Sequence, residues 1–301
     1  MDQVKIGIMG LRRGNGKMAV VAGKSKGNVI FKVLGYTLCI ILAIMSLFPF
    51  VIMIINSTRS TTQIQQHAVS LIPSTYFFSN LEILLGKSFD PLKGFFNSLI
   101  ISSSSTICTV YFSTMTAYAL VAYDWKLRKP FFTLIMCVLM IPAQVTAIGF
   151  YQFIYKIGLT NNFLALILPS IAAPTVVFFM RQYMIPALPM EILQSARIDG
   201  AGEIRIFNQI ALPMMKPAMA TQAIFAFVTS WNTLFLPQIL LIDTDKHTLP
   251  IMVSQLNGDI YRTEFGAIYL GLFLTVLPVL VIYFLLSKHI IAGVALGGVK
   301  G

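Results

Sequence analysis

The chain has 301 residues, of which 56% are hydrophobic and 11% charged, with a formal net charge of +11. A soluble domain carries about 25% charged residues, so a water-soluble globule is excluded as the main body of the fold. The positive balance forms no basic stripe with interleaved aromatics; it sits in short segments beside apolar runs, which excludes nucleic acid as a partner.

Residues 1–30 are basic and glycine-rich without an apolar period and predict a disordered cytoplasmic extension. Within them, Gly23-Lys24-Ser25 resembles the end of a phosphate-binding loop, but the required glycine five residues earlier is Met18, so no ATP site is predicted. Six apolar runs follow that reach the roughly 17–25 residues needed to cross a bilayer: Val33–Ile55, Phe95–Tyr123, Phe131–Tyr155, Phe163–Met180, Ala218–Ile242 and Phe265–Ser287. None contains Asp, Glu, Lys or Arg. The bilayer core offers the backbone no water, so each run is predicted to be a helix, with the membrane body spanning 31–288 and a tail at 289–301. With the N-terminus inside, 16 of the 22 Lys and Arg residues fall on the inner side, which predicts cytoplasmic termini and a retained first span. Pro142, Pro169, Pro174, Pro237 and Pro278 lie within the runs and free backbone carbonyls for kinks.

Between the fourth and fifth runs, the loop 185–217 contains a polar island, Glu191–Pro217. Burying Arg197, Asp199 and Arg205 at mid-bilayer would cost about 2.5–3.5 kcal/mol each, so the island lies in water. It predicts two short helices divided at Asp199-Gly200: Glu191 suits the positive end of the first, and Gly200 permits the left-handed conformation that ends it. Polar residues inside the runs (Asn97, Gln144, Gln152, Gln222, Thr229, Ser230, Asn232, Gln238) either line a solute path or bond neighbouring helices, and Trp231 offers a face on which a sugar ring could stack. The run Ser102–Thr106 reads as small-residue helix packing. Cys39, Cys108 and Cys137 have no paired spacing and His67, His247 and His289 are isolated, so neither disulfide nor metal is predicted.

The island resembles the loop by which permease subunits of binding-protein-dependent ABC importers dock on their ATPases. That pattern is Glu-Ala-Ala, a glycine four residues on, and a distant Leu-Pro. Here Gln194-Ser195-Ala196 stands for Glu-Ala-Ala, while Gly200 and Leu212-Pro213 fall in place. Met140–Val145, Lys156–Leu159, Met180-Arg181-Gln182, Trp231-Asn232, Leu277-Pro278 and the ending Ala292–Gly301 resemble the second permease of maltose-type carbohydrate importers. The resemblance implies an all-α membrane protein of the type I importer permease fold, six transmembrane helices and a cytoplasmic coupling loop. It implies a second permease, two ATPases that hold ATP and Mg, an external solute-binding protein meeting the loop Asp243–Glu264, a sugar substrate, and the cytoplasmic membrane of a bacterium or archaeon.

By the same resemblance Glu191, Leu193, Gln194, Ser195, Ala196, Arg197, Asp199, Gly200, Glu203, Leu212 and Pro213 couple to the ATPase. In this assignment Leu193, Ala196 and Ile204 supply the apolar contact surface. Gln144, Gln222, Ser230, Trp231 and Asn232 are the candidates for the path. The chain is predicted to have no catalytic residue, metal or cofactor of its own. The alternatives are a polyol or glycerol phosphate as cargo, or an ion-coupled secondary carrier. A carrier of that kind commonly places carboxylates within the membrane, and all 11 acids here lie outside the runs.

Overall fold

The computed structural model describes residues 26–86, 90–256 and 263–298, and most of the N-terminal extension and the last residues of the tail lie outside this range. The chain divides into two compact units, Met1–Pro49 and Phe50–Gly301, whose boundary falls inside the first helix. Helices α1 (Lys26–Ser57), α2 (Thr61–Gln66), α3 (Phe77–Gly86) and α4 (Pro91–Ala122) come first, then α5 (Arg128–Val138), α6 (Ala143–Lys156) and α7 (Leu164–Ile167), which tightens into a 3₁₀ turn at Leu168–Ile171. Next are α8 (Pro174–Ala187), α9 (Met190–Ile198) and α10 (Glu203–Ile206), a π turn at Phe207–Ala211, and α11 (Leu212–Met214). The last are α12 (Lys216–Asn232), α13 (Phe235–Leu240), a 3₁₀ turn at Thr244–Lys246, α14 (Leu249–Gln255) and α15 (Phe265–Gly298). No strand occurs among the described residues.

Among the described residues, three helical segments are long and apolar enough to cross a membrane, Phe31–Ser57, Pro91–Ala122 and Leu164–Ala187, and a fourth if the pair Glu203–Met214 and Lys216–Asn232, bent by 81°, is one span. The continuous third run expected from hydropathy is interrupted: α5 stops at Val138 and α6 resumes only after Pro142, which has extended backbone (φ −62°, ψ 128°). Proline lacks the N–H that would continue the ladder and pushes its predecessor out of helical space. The fourth run breaks at Ala172-Ala173 before Pro174, and the fifth at Thr233-Leu234, ahead of a short helix that contains Pro237. Pro278, by contrast, is carried inside α15 without a break.

The centre of the second unit is α4, which packs on α12 and α8. Its buried face is polar, with Ser98, Ser102, Ser105, Thr109, Ser113 and Thr114 all shielded from solvent. These small residues let backbones approach, and their hydroxyls bond across helices. Thr109 Oγ1 donates to the Ser170 carbonyl at 2.9 Å, and Ser170 Oγ to the Ser105 carbonyl at 3.2 Å. At the Pro91 end of α4, Asn97 Nδ2 donates to the carbonyls of Asp245 (2.9 Å) and His247 (3.0 Å), and Ser98 Oγ accepts from Leu249 N–H at 2.9 Å. Asn97 is thereby a staple for the loop before α14.

Two apolar cores flank α4. One gathers Leu84, Phe227, Trp231, Leu249, Met252 and their neighbours. Beside it a polar knot closes the end of α1: the buried Arg59 guanidinium donates to Asn56 Oδ1 (2.9 Å) and to the carbonyls of His67 (2.7 Å) and Gln63 (2.8 Å). Asn80 Nδ2 bonds the carbonyls of Ser57 (2.9 Å) and Arg59 (3.0 Å). Gly266 passes so close that a β-carbon there would lie 2.5 Å from both Arg59 O and the Asn80 amide. The other core, at the Ala122 end, holds the polar island.

Candidate functional site

The island is a helix–turn–helix pinned to the membrane body. Pro189 stands at the N-cap of α9, one position before the first turn, and Glu191 lies inside that turn. One face of α9 buries Leu193 completely among Met180, Met184, Leu188, Ile206 and Phe207. The expectation that Leu193 presents an outward contact surface is therefore corrected: its side chain anchors α9 to α8. Ala196 is half-buried beside it, whereas Glu191, Gln194 and Ser195 are exposed. Ile204, as expected, faces outward (82% exposed), joined by Ile198 (85% exposed) and, less fully, Ile192.

Gly200 terminates α9 in the left-handed region at φ +80°. Its N–H donates to Arg197 O (3.1 Å) and that of Ala201 to Ala196 O (3.0 Å), the paired bonds of a Schellman cap. No atom lies within 4 Å of a β-carbon built at Gly200, so backbone conformation, not crowding, favours glycine there. Gly202 then caps α10, its carbonyl accepting from Arg205 N–H (2.9 Å) and Ile206 N–H (3.0 Å). A cavity of about 290 Å³ opens beside this turn, lined in part by Ala196, Asp199, Gly200, Ala201 and Arg205. Past the π turn, the Leu212-Pro213 step delivers the chain into α12 through the 81° bend, with Leu212 partly buried and Pro213 exposed.

Glu203 is the electrostatic centre. Arg197 Nε donates to its Oε1 at 2.7 Å and Nη2 to its Oε2 at 3.3 Å, while the hydroxyls of Tyr123 and, at 3.5 Å, Tyr118 donate to Oε2. The Arg197 guanidinium also lies 5.2 Å from the Tyr123 ring centroid. Hydrogen bonds from Arg197 and Tyr123 hold the Glu203 carboxyl below its ordinary range, and the Glu203 carboxylate raises Arg197 further above its own. This cluster ties α9 and α10 to the end of α4, and Tyr111 OH adds a bond to Asn208 Oδ1 at 3.1 Å. Tyr111, Tyr118 and Tyr123 carried no signal in the sequence beyond being hydroxylated aromatics in an apolar run; their partners lie 80 or more residues away.

The candidates for a solute path divide. Trp231 is 1% exposed, stacks on Phe227 with centroids 5.5 Å apart, and donates Nε1–H to Thr275 O at 3.1 Å. It is a core residue, which corrects its assignment as a stacking surface for solute. Gln222, Thr229 and Asn232 share one side of α12 with the exposed Phe225, and Ser230 is half-buried. The Gln144 side chain lies outside the described residues.

Residues 109–295, which contain the island and α12, match the model of a family described as binding-protein-dependent transport system inner membrane component. The chain belongs to this family. Similar curated proteins include an arabinooligosaccharides transport system permease from Halalkalibacterium halodurans, 36% identical over 86% of this chain and 93% of its own. A lactose transport system permease from Rhizobium radiobacter is 32% identical over 88% and 95%, and an sn-glycerol-3-phosphate transport system permease from Yersinia enterocolitica 28% identical over 86% and 94%. Among solved structures, a chain of a bacterial ABC transporter involved in alginate import superposes with TM-score 0.75 at 22% identity, covering 88% of this chain and 98% of that one. At that identity the likeness shows a shared fold.

Proposed function

We propose that the chain is one of two permease subunits of an ATP-driven importer for a sugar or oligosaccharide, and that the island is the point where an ATPase takes hold. The observation that carries this reading is the outward pair Ile198 and Ile204, one on each side of the Gly200 turn, on a loop whose inward side is fixed by Leu193 and Glu203. Two apolar side chains held in water on a rigid turn suit a cleft on a soluble partner, and Glu191, Gln194, Ser195 and Asp199 are exposed around them. With no ATP site predicted in this chain, ATP and Mg are assigned to the partner. Six crossings follow if α5 with α6, and α12 with α13, each cross as a broken span, with both termini and the island on the cytoplasmic side, as the basic residues favour.

Closure of an ATPase pair would then draw the loop inward. Leu193, in one buried core with Met180 and Met184, passes the displacement to α8, and Glu203 bonded to Tyr123 and Tyr118 passes it to α4. Neutral amides and hydroxyls on the open side of α12 suit an uncharged, hydroxyl-rich cargo. The relatives named for arabinooligosaccharides and lactose favour sugar over glycerol phosphate, whose named relative is less similar.

The test is a pull-down of the full chain in mild detergent, wild type against Gly200→Asp. Co-purification of an ATPase and a second permease, with the ATPase lost or its activity uncoupled in the variant, is expected. A chain that purifies alone and moves solute without ATP would overturn the proposal.

A further inference from the structure

Beyond Tyr123, the turn joining α4 to α5 bears no part in the docking just described, yet it is built around an open cavity of about 480 Å³ lined by Asp124, Trp125, Lys126, Arg128, Lys129 and Pro130. Three cations face one acid. Arg128 is fixed by donating to Tyr123 O at 3.0 Å and lies 3.8 Å from Asp124, whose side chain is 97% exposed. Lys126 and Lys129 have no ion-pair partner among the described residues. Trp125 stands at the rim, its ring 5.9 Å from Phe131 and its Nε1 3.4 Å from Ala119 O. From Phe131 an exposed apolar stripe continues along α5 through Leu134 (59% exposed) and Val138 (44% exposed). A fourth cation, Arg181 of α8, stacks 4.2 Å over the ring of Phe132, one turn along α5 from Arg128, and its buried Nε finds no acceptor among the described residues.

A positive mouth continuous with an unpartnered apolar stripe is complementary to an amphiphile with an anionic head. We propose that this cavity binds the headgroup of an anionic phospholipid of the inner leaflet, with its acyl chains lying along Phe131, Leu134 and Val138. Trp125 sits where an amphipathic ring belongs at a membrane surface, and each Lys or Arg near an anionic surface is worth on the order of fivefold in binding. A soluble phosphate ester would meet the same three cations but would leave the stripe bare. The inference rests on the inner-side placement of this turn proposed above, though not on the ATPase contact.

The experiment is quenching of the full chain's tryptophan fluorescence in phosphatidylcholine nanodiscs doped with either brominated phosphatidylglycerol or brominated phosphatidylcholine at equal fraction. Trp231 is buried and supplies a common background. Stronger quenching by the phosphatidylglycerol is expected. It should vanish in Trp125→Phe and fall to the phosphatidylcholine level in Lys126→Gln/Arg128→Gln/Lys129→Gln, while the conservative Lys126→Arg/Lys129→Arg retains it. Equal quenching by the two lipids, or a preference that survives the triple Gln variant, overturns the proposal. So does a preference abolished by inorganic phosphate but not by chloride at equal ionic strength, which would assign the cavity to a soluble anion. No lipid preference in the wild-type chain with the ATPase still co-purifying condemns this inference alone; a wild-type preference without an ATPase leaves the lipid site standing and condemns the importer reading.

Discussion

Removing the Glu203 carboxylate is the sharpest way to ask whether the island is rigidly joined to the membrane body. Glu203→Ala deletes the two-point contact with Arg197 (2.7 and 3.3 Å) and the acceptor for Tyr123 and Tyr118. A buried charged hydrogen bond is worth about 1.5–3 kcal/mol and an exposed ion pair about 0.2–1 kcal/mol. The Arg197 and Glu203 side chains are 30% and 45% exposed, so the cluster falls between these limits, at about 1–2 kcal/mol. Applied to local opening, that is a factor of about 5–30 in the population of the released loop. Hydrogen exchange of the amides from Gly200 to Ile206, measured on the full chain in a bilayer, should accelerate by that factor, while amides of α4 midway along the helix stay unchanged. Glu203→Gln, which keeps an acceptor but not the charge, should give a smaller acceleration. The carboxyl's folded pKa lies below its ordinary 4.5, so its contribution is fully present above 4.5 and lost only as pH falls through the lowered value. Wild-type protection, corrected for intrinsic rates, is therefore level between pH 6 and 8. Exchange in Glu203→Ala within about twofold of wild type would refute the view that this cluster holds the loop.

Other positions give independent checks. Gly200→Ala forces a β-carbon into the left-handed region at about 1–2 kcal/mol without a clash, so the Ala201 amide should exchange faster, and Gly200→Asn should be milder. Gly266→Ala drives a β-carbon against Arg59 O and the Asn80 amide, and should lower the thermal unfolding temperature of the purified chain by more than the loss from Gly200→Ala. Trp231→Ala should cost about 3–5 kcal/mol through core loss, whereas Trp231→Phe leaves solute affinity in a transport assay unchanged; a selective loss of affinity in Trp231→Phe would restore it as a solute contact. Asn161 is left-handed (φ +59°), accepts from the N–H groups of Ile242 and Asp243 at 3.1 Å each, and bonds the Asp243 carboxylate. Asn161→Ala should therefore loosen the Asp243–Leu249 loop to limited proteolysis while leaving the island's exchange unaltered.

What the sequence disclosed were properties that a few neighbouring residues determine. The apolar runs, the polar island and the left-handed turn at Gly200 depend on local solvation and local backbone sterics, and the structure has helices and a turn at those places. The prolines were visible too, but hydropathy averages over them, so three runs that read as continuous are helices in two pieces. A proline can break a helix or be absorbed in it, and the sequence does not say which: Pro142 stands at a break and Pro278 inside a continuous helix. Side-chain direction was the larger loss. Leu193 and Ile204 look alike on a short amphipathic stretch, yet one is fully buried and the other almost free, because only the first faces α8. Likewise neither Asn97 nor Trp231 disclosed its partners, Asp245 and His247 for the one and Thr275 for the other.

These partners put α4 in a particular mechanical position. It is an unbroken helix of 32 residues, about 48 Å long at 1.5 Å per residue. At one end Tyr118, and Tyr123 just beyond it, bond Glu203 of the island; at the other Asn97 and Ser98 bond the loop leading into α14, and Lys93 pairs with Asp245 at 2.5 Å. Its neighbours α7 with α8 and α12 with α13 are each interrupted near a proline, as are α5 and α6, which pack on α8 and α13. A displacement imposed on the island therefore meets α4 as a stiff strut with jointed neighbours, and α15, also unbroken, packs on α12 and α4. The strut can only translate or tilt as a body, so it must carry part of any island movement to the Asp243–Leu249 loop, while the interrupted pairs bend to accommodate it. Communication between the two faces of the protein is on this account a property of α4's caps, and weakening either end, at Glu203 or at Asn97, should uncouple the same motion.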